Sequence, residues 1–208
     1  MPARNPDLHG NVPDKCSVAL VLIDVINDLE FPGNKKLLKQ AIPMAIRLAA
    51  LAERARKTGI PVIYVNDNFG KWRSDFTKQV RHCLDEKVCG KPIAEKLQPK
   101  PEDYFVLKPK HSGFFASALD ILLTYLGTTT LILTGITADR CVLFTANDAF
   151  LRDYRIFVPS DCVVSIDANH NRQALRLMQR VLGVDLRPAK KLRLTELKKP
   201  TLGGAALK

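Results

Sequence analysis

The sequence feature that most limits what this chain can fold into is an unbroken apolar run, residues 18–23, which ends at Asp24. A strand with one face in water alternates apolar and polar side chains, and this run does not alternate. It therefore predicts a strand buried on both faces, in a parallel sheet that is covered by helices on its two sides.

Strand-like and helix-like segments alternate along the rest of the chain, which is typical of β-α-β units with right-handed crossovers. Further strands are predicted at residues 61–65, 104–107, 129–134, 155–158 and, as a short last strand, 191–195. Helices are predicted at residues 36–58, within 77–97, and at 116–125, 140–153 and 169–182. The pattern indicates an α/β protein with three layers, αβα.

The length of 208 residues suits one domain, and the chain contains no repeat or low-complexity segment. We predict an N-terminal arm at residues 1–16, one α/β domain at 17–195 and a basic C-terminal tail at 196–208. No apolar run approaches the roughly 18 residues that a membrane span needs, so no membrane association is expected.

The formal net charge is +11, and the segment from Arg187 onward holds seven basic residues and one acidic residue. A nucleic acid is the first partner that such a charge suggests. No aromatic side chain lies among these charges to stack on a base. We therefore interpret the segment as solvated and expect no nucleic-acid partner.

The cysteines provide a guide to the cellular compartment. Cys16, Cys83, Cys89, Cys141 and Cys162 form no C-x-x-C pair, and the first residues hold no apolar segment typical of a secretory signal. We therefore expect reduced thiols and a cytoplasmic protein, in which most cysteines pack as small apolar residues.

Polar residues follow the predicted strands at four places, namely Asp24, segment 66–68, Lys108 and segment 135–141. In an open parallel sheet, ligands bind beyond the carboxyl ends of the strands. We therefore expect these four places to converge on one edge of the sheet, where a functional site would lie.

Cys141 opens a predicted helix, directly after the turn that follows strand 129–134. The positive end of the helix dipole favours the thiolate, which is the nucleophilic form of cysteine. Unpaired backbone N–H groups at the same place can hold an oxyanion. A plain buried cysteine is the alternative at this position.

Asp24 and Lys108 add the groups that amide hydrolysis by a thiol requires. Asp24 can accept the thiol proton and return it to a leaving amine, although an aspartate at a strand end can simply form a turn. Lys108 can stabilise the thiolate and orient Asp24. Lys110 competes for this role, and a lysine just past a strand is usually solvated.

Three ordered segments, residues 19–28, 106–114 and 133–142, resemble the isochorismatase-like cysteine hydrolases, and the resemblance spans residues 17–185. It implies that Asp24, Lys108 and Cys141 form a catalytic triad, and that the peptide bond between Ile136 and Thr137 is cis. The N–H groups of Thr137 and Cys141 would then form the oxyanion hole. The family also implies about six parallel strands in Rossmann-like order, and homo-oligomers, either dimers or tetramers.

Differences between this sequence and two branches of the family limit the reactions that we expect it to catalyse. The nicotinamidase branch binds a divalent metal ion with an aspartate and two histidines, whereas segment 66–69 here contains no histidine. We therefore expect a site without metal or cofactor. The isochorismate-cleaving branch lacks the nucleophilic cysteine, so Cys141 argues against a vinyl-ether hydrolase.

Residues beside these motifs are predicted to bind the substrate, namely Asn68, Phe69, Trp72, Phe114 and Arg140. Trp72 could equally pack in a subunit interface. Arg140 and Lys110 favour an anionic small molecule as the substrate. We interpret His111 as a surface residue, with a catalytic acid as the alternative, and His170 as a capping or packing residue.

The sequence therefore predicts a cysteine-dependent hydrolase that cleaves a C–N bond of a small amide, ureide or lactam through a thioester on Cys141. The alternative is a catalytically inactive scaffold that acts as a basic interaction protein, and the intact Asp24, Lys108 and Cys141 argue against it. A dinucleotide-binding protein is disfavoured because no G-x-G-x-x-G follows the first strand.

Overall fold

The computed structural model describes residues 15–69, 75–85 and 87–198, and the predicted pocket residue Trp72 lies outside them. The strands are β1 (Val18–Ile23), β2 (Val62–Asp67), β3 (Tyr104–Lys108), β4 (Thr130–Ile136), β5 (Arg155–Phe157) and β6 (Val163–Val164). They form a six-stranded parallel sheet in the order β3-β2-β1-β4-β5, and β6 pairs with the end of β4.

Helices cover both faces of this sheet. They are α1 (Asn34–Lys57), α2 (Phe76–Asp85), α3 (Lys91–Lys96), α4 (Leu119–Leu126), α5 (Leu143–Phe150), α6 (Ala168–Leu182) and the short α7 (Leu194–Leu197). The predicted three-layer α/β fold with a six-stranded parallel sheet is therefore confirmed. In the described ranges, no helix has the length and apolar character needed to cross a bilayer.

The central strand β1 explains why its sequence shows no alternation. Its residues point in turn to the two faces of the sheet, and both faces are packed. Leu20 and Leu22 belong to one apolar cluster, which includes α1 and α3. Val21 and Ile23 belong to the other, which includes α4, α5 and α6. All of β1 is buried as a result.

The predicted last strand at residues 191–195 is wrong, and the short β6 takes its place in the sheet. Asp185 makes a single parallel bridge to Phe157 at the edge of the sheet. The chain then leaves the sheet, because residues 189–191 form a 3-10 turn that packs beside α1, and α7 follows.

Segment 187–198 is folded onto the domain, although its basic side chains Arg187, Lys190, Lys191 and Arg193 are exposed to solvent, as the interpretation of its charge expects. Ala189, Leu192 and Leu194 are buried in the apolar cluster on the α1 side of the sheet. The guanidinium of Arg54 in α1 donates hydrogen bonds to the carbonyl oxygens of Ala189 and Leu192. The predicted boundary after residue 195 therefore lies inside α7.

Gly135 allows β4 to approach β1 closely near their carboxyl ends. Its φ is +112°, a conformation that side chains with a Cβ rarely adopt. A Cβ at this position would lie 2.1 Å from the carbonyl oxygen of Ile23. Any other residue would push β4 away from β1, and with it the turn that follows β4.

Candidate active site

Charged and nucleophilic side chains meet at the carboxyl ends of β1 to β4. The Nζ atom of Lys108 lies 2.9 Å from Oδ2 of Asp24 and 3.6 Å from Sγ of Cys141. Oδ2 of Asp67, at the end of β2, lies 3.5 Å from the same Nζ. The structure thus brings the four segments that follow the predicted strands to one edge of the sheet.

Asp24 is held at the end of β1 by its neighbours on β2. Its backbone N–H donates to the carbonyl oxygen of Val65, and its Oδ1 accepts a hydrogen bond of 2.7 Å from the N–H of Asp67. Burial raises the pKa of the Asp24 carboxyl, while the charge of Lys108 opposes this shift. A carboxylate with a raised pKa is a stronger base.

Lys108 carries its charge into a fully buried position, with no exposed side-chain surface. Burial lowers the pKa of its ammonium, but the charges of Asp24 and Cys141 outweigh this effect, so the pKa is raised overall. The ammonium is therefore charged at neutral pH. A buried charge of this kind depends on its partner for its stability.

Cys141 lies in a π-helical turn, Ala138–Val142, that leads into α5, and its side chain is half-buried. The Ile136–Thr137 peptide bond just before this turn is cis. Burial and the Asp24 carboxylate raise the pKa of the Cys141 thiol to about 12, while Lys108 opposes them. The pKa of the thiol is therefore raised overall, although the positive helix end and Lys108 favour the thiolate. The thiol is protonated at neutral pH, and its attack requires a base.

A cleft of about 630 Å³ opens above the thiol, a volume that suits a small molecule. Phe31 and Ile166 contribute apolar surface to its walls. Arg140 and His170 contribute polar groups, and Asp167 caps the start of α6 at the same wall. The cleft can therefore contact both apolar and charged parts of a ligand.

The predicted pocket residues divide into two groups. Phe69 and Arg140 line the cleft, as predicted. Phe114 does not, because its ring is buried in the apolar cluster beside Tyr154 and below the guanidinium of Arg152. Asn68 is buried as well, and its N–H donates to the carbonyl oxygen of Lys108.

His111, which the sequence interpretation assigned to the surface, is exposed and lies beside the thiol. Its Nδ1 lies 3.7 Å from Sγ of Cys141, and its ring packs on that of Phe144 with 5.5 Å between the centroids. Lys110, which the sequence favoured for contact with an anion, is not among the residues that line the cleft. The signal for His111 was its place three residues after Lys108, in the loop that leaves the sheet edge.

One buried hydroxyl connects this loop to the turn that carries the thiol. Oγ1 of Thr145 donates to the carbonyl oxygen of Cys141 at 2.6 Å and accepts from the N–H of Gly113 at 2.9 Å. We expect Thr145→Val to lower the free energy of unfolding by about 1–3 kcal/mol, because the Gly113 N–H loses its partner in a buried place. Urea unfolding measures this change, and alkylation of Cys141 reports whether the site is displaced.

Thr134→Val is the matched control for this prediction. Thr134 is also fully buried, and its hydroxyl donates to the carbonyl oxygen of Val21 within the sheet, away from the loop. We expect this variant to lose stability without a change in the reactivity of Cys141. Equal effects of both variants on Cys141 would contradict the linking role of Thr145.

Metal-ligating side chains do not cluster in the part of the chain that the structure describes. In residues 15–69, 75–85 and 87–198, no three His, Cys, Asp or Glu side chains are arranged to hold a metal ion. The expectation of a metal-free site stays a prediction.

A cleft beyond the carboxyl ends of a parallel sheet is where proteins with this three-layer α/β fold typically bind small molecules. Residues 18–186 match the model of the isochorismatase domain, and the chain therefore belongs to the isochorismatase family of hydrolases. The predicted resemblance to this family is thereby confirmed.

Relatives of the chain include amidohydrolases. The chain is 40% identical over 172 residues to the uncharacterized isochorismatase family protein YaaI of Bacillus subtilis, a match that covers 83% of this chain and 94% of YaaI. It is 29% identical to the ureidoacrylate amidohydrolase RutB of Methylobacterium radiotolerans, over 71% of this chain and 67% of RutB. The crystal structure of N-carbamoylsarcosine amidase from Thermoplasma acidophilum is similar, with a TM-score of 0.66, 29% identity, and coverage of 85% and 99% of the two chains.

Proposed function

We propose that this protein is a cysteine-dependent hydrolase that cleaves a C–N bond of a small amide, ureide or lactam through a thioester on Cys141. The observation that carries the proposal is the position of the thiol. It lies 3.6 Å from the buried ammonium of Lys108, which pairs with Asp24, and it faces a cleft large enough for a small substrate.

The proposed reaction starts from the protonated thiol. Asp24 accepts its proton, and the ammonium of Lys108 stabilises the thiolate that results. The thiolate attacks the carbonyl carbon, and the N–H groups of Thr137 and Cys141 bind the oxyanion. Asp24 then protonates the departing nitrogen. Water hydrolyses the thioester with Asp24 as its base, which restores the thiol and releases a carboxylic acid, or a carbamic acid where the substrate is a ureide.

Among the three substrate classes, we favour a ureide that carries a carboxylate. The relatives RutB and N-carbamoylsarcosine amidase are named for ureidoacrylate and N-carbamoylsarcosine, which both combine a carbamoyl nitrogen with a carboxylate. In the cleft, the exposed side chain of Arg140 follows the oxyanion-hole candidate Thr137 by three residues, and a guanidinium pairs well with a carboxylate.

We expect Arg140→Gln to raise KM for an anionic ureido acid by about 10- to 100-fold, because a charge-assisted hydrogen bond is lost. The uncharged amide of the same acid should bind the wild type and the variant equally. Steady-state kinetics with both compounds measure the effect. Lys110→Gln removes a neighbouring charge outside the cleft and serves as the control. A similar loss for both compounds would rule out a carboxylate contact.

A panel of N-carbamoyl amino acids, linear amides and lactams tests the proposed function. The release of ammonia or amine is measured with the wild type and with a variant that lacks the Cys141 thiol. Turnover by the wild type alone supports the proposal. Turnover that persists without the thiol would exclude the thioester. An absence of turnover across the panel, together with ordinary thiol reactivity at Cys141, would support the inactive scaffold.

The predictions of a homo-oligomer and of a cytoplasmic location remain part of this proposal. Large apolar side chains are exposed on two neighbouring helices, including Ile121 of α4 and Phe150 of α5. Exposed apolar surface of this kind supports self-association, which light scattering coupled to gel filtration would measure. The five cysteines are free thiols, as in proteins of reducing compartments.

A further inference from the structure

We infer that His111 is a second proton acceptor for the thiol of Cys141, acting from the open side of the cleft. Its Nδ1 lies 3.7 Å from Sγ, within reach of a hydrogen bond to sulfur. Lys108 approaches the same sulfur at 3.6 Å and is fully buried, whereas His111 is exposed. The thiol thus has one nitrogen on its buried side and another on its open side.

The buried base of the site is already engaged. Oδ1 of Asp24 accepts from the N–H of Asp67, and Oδ2 pairs with Lys108. Both contacts hold the carboxylate on the buried side of the thiol. The Cys141 thiol is protonated at neutral pH, since burial raises its pKa to about 12. A further base in contact with Sγ would therefore assist the attack.

The loop around His111 is fixed to α5, and α5 continues from the turn that carries the thiol. The N–H of Gly113 donates to Thr145, and the hydroxyl of Ser112 hydrogen bonds with Asp148. The ring of Phe144 packs against the imidazole. These contacts hold the loop, and with it the imidazole, beside the sulfur.

Along this route, one proton moves from the thiol to the imidazole and then to the leaving group. The S–H bond of Cys141 breaks, and its proton passes to the unprotonated Nδ1 of His111, which leaves a thiolate and an imidazolium. The thiolate attacks the carbonyl carbon, and the imidazolium returns the proton to the departing nitrogen. This second half rests on the proposed function, whereas the proton exchange between thiol and imidazole does not.

Other titratable and charged groups lie near the imidazole. Cys141 contacts it from the π-helical turn, and Lys110 neighbours it in its own loop. The other titratable or charged side chains that line the cleft are Asp24, Asp67, Asp139, Arg140, Asp167 and His170. His170 is the second histidine on this wall, and the experiment has to distinguish it from His111.

The test is the pH dependence of alkylation by iodoacetamide, measured at Cys141 by peptide mass spectrometry. It needs no substrate. In the wild type, we expect the rate to rise between about pH 5 and 8, the range in which histidine loses its charge. His111→Asn keeps a hydrogen-bonding group near the Nδ1 position but cannot take up the proton. In this variant we expect the alkylation rate not to rise over this pH range. Near neutral pH, we expect a rate that is lower than that of the wild type by up to about tenfold.

Lys110→Gln is the matched control, because it changes the same loop and should keep the wild-type profile. His111→Gln replaces His111→Asn if thermal unfolding shows that the asparagine variant does not fold. An unchanged profile in the His111 variants would overturn the inference, as would a rise that disappears in His170→Asn instead. The protein could also show no turnover of any C–N substrate while the His111 variants lose the pH-dependent rise in alkylation. That result would refute the proposed function and leave the inference about His111 standing.

Discussion

Cys141→Ala is expected to lower kcat for any C–N substrate of this protein by about 10,000-fold or more. The sulfur of this thiol would bond to the substrate, and no other thiol lines the cleft in the part of the chain that the structure describes. Asp24 and Lys108 can still orient water, so a small residual rate is expected. Initial rates of ammonia or amine release at high enzyme concentration measure this difference.

Cys89→Ala is the control for the loss of a thiol. Cys89 is partly exposed like Cys141, but it lies outside the cleft, and its N–H donates to Glu30. This variant should keep the wild-type rate. Intact-mass measurement of the wild type during turnover should also detect the acyl group on the protein, and this adduct should be missing in Cys141→Ala. A rate in Cys141→Ala within tenfold of the wild type would disprove the covalent route.

Lys108→Met is expected to lower the free energy of unfolding by about 3–5 kcal/mol and to abolish turnover, because it leaves a buried carboxylate without its partner. Methionine fills a similar volume, so the packing around it is largely kept. The ammonium of Lys108 is 2.9 Å from Asp24 and has no exposed surface, so water cannot take its place. Urea unfolding measures the loss, and Lys110→Met, at an exposed position of the next loop, is the matched control.

The decrease in the free energy of unfolding caused by Lys108→Met should become smaller as the pH falls. Burial already raises the pKa of Asp24 in the folded protein, and removal of the nearby ammonium raises it further. A carboxyl with a higher pKa in the folded than in the unfolded state stabilises the fold at low pH. That contribution is lost as the pH rises through the folded-state pKa. The difference between variant and wild type should therefore be smaller at about pH 5 than at about pH 8.

A double variant separates stability from chemistry. Adding Asp24→Asn to Lys108→Met removes the unpaired charge, while the asparagine oxygen can still accept from the N–H of Asp67. Much of the lost stability should return, and turnover should not. If Lys108→Met unfolds at the same urea concentration as the wild type at both pH values, the buried ion pair does not support the fold.

The centre of the fold could be predicted because burial leaves a clear pattern. β1 and β4 are buried along their whole length, so their sequences are continuous apolar runs with little polar interruption. β6 could not be predicted, because two residues carry no periodicity, and its pairing depends on where β4 ends. The packing of segment 187–198 on α1 could not be predicted, because lysines and arginines separate the apolar residues that take part in it.

The candidate site also contains residues whose positions the sequence could predict and residues whose positions it could not. Asp24, Lys108 and Cys141 each lie just past a predictable strand, so the rule for parallel sheets was enough to bring them together. The positions of His111 and Phe114 depend on how the loop after β3 turns, and that path is set by hydrogen bonds to α5. Residue type therefore suggested a pocket position for Phe114, which lies in the core, and did not indicate that the exposed His111 lies beside the thiol.

The pairing of β1, β2 and β3 restricts how this chain can change during evolution. Asp67 is the partner of Lys108 across β2 and β3, and Val65 is the partner of Ile23 across β2 and β1. One residue inserted into β3 would turn Lys108 to the opposite face of the sheet and separate it from Asp24. Length variation among relatives should therefore collect in the loops that precede these strands, while the strands themselves keep a constant number of residues.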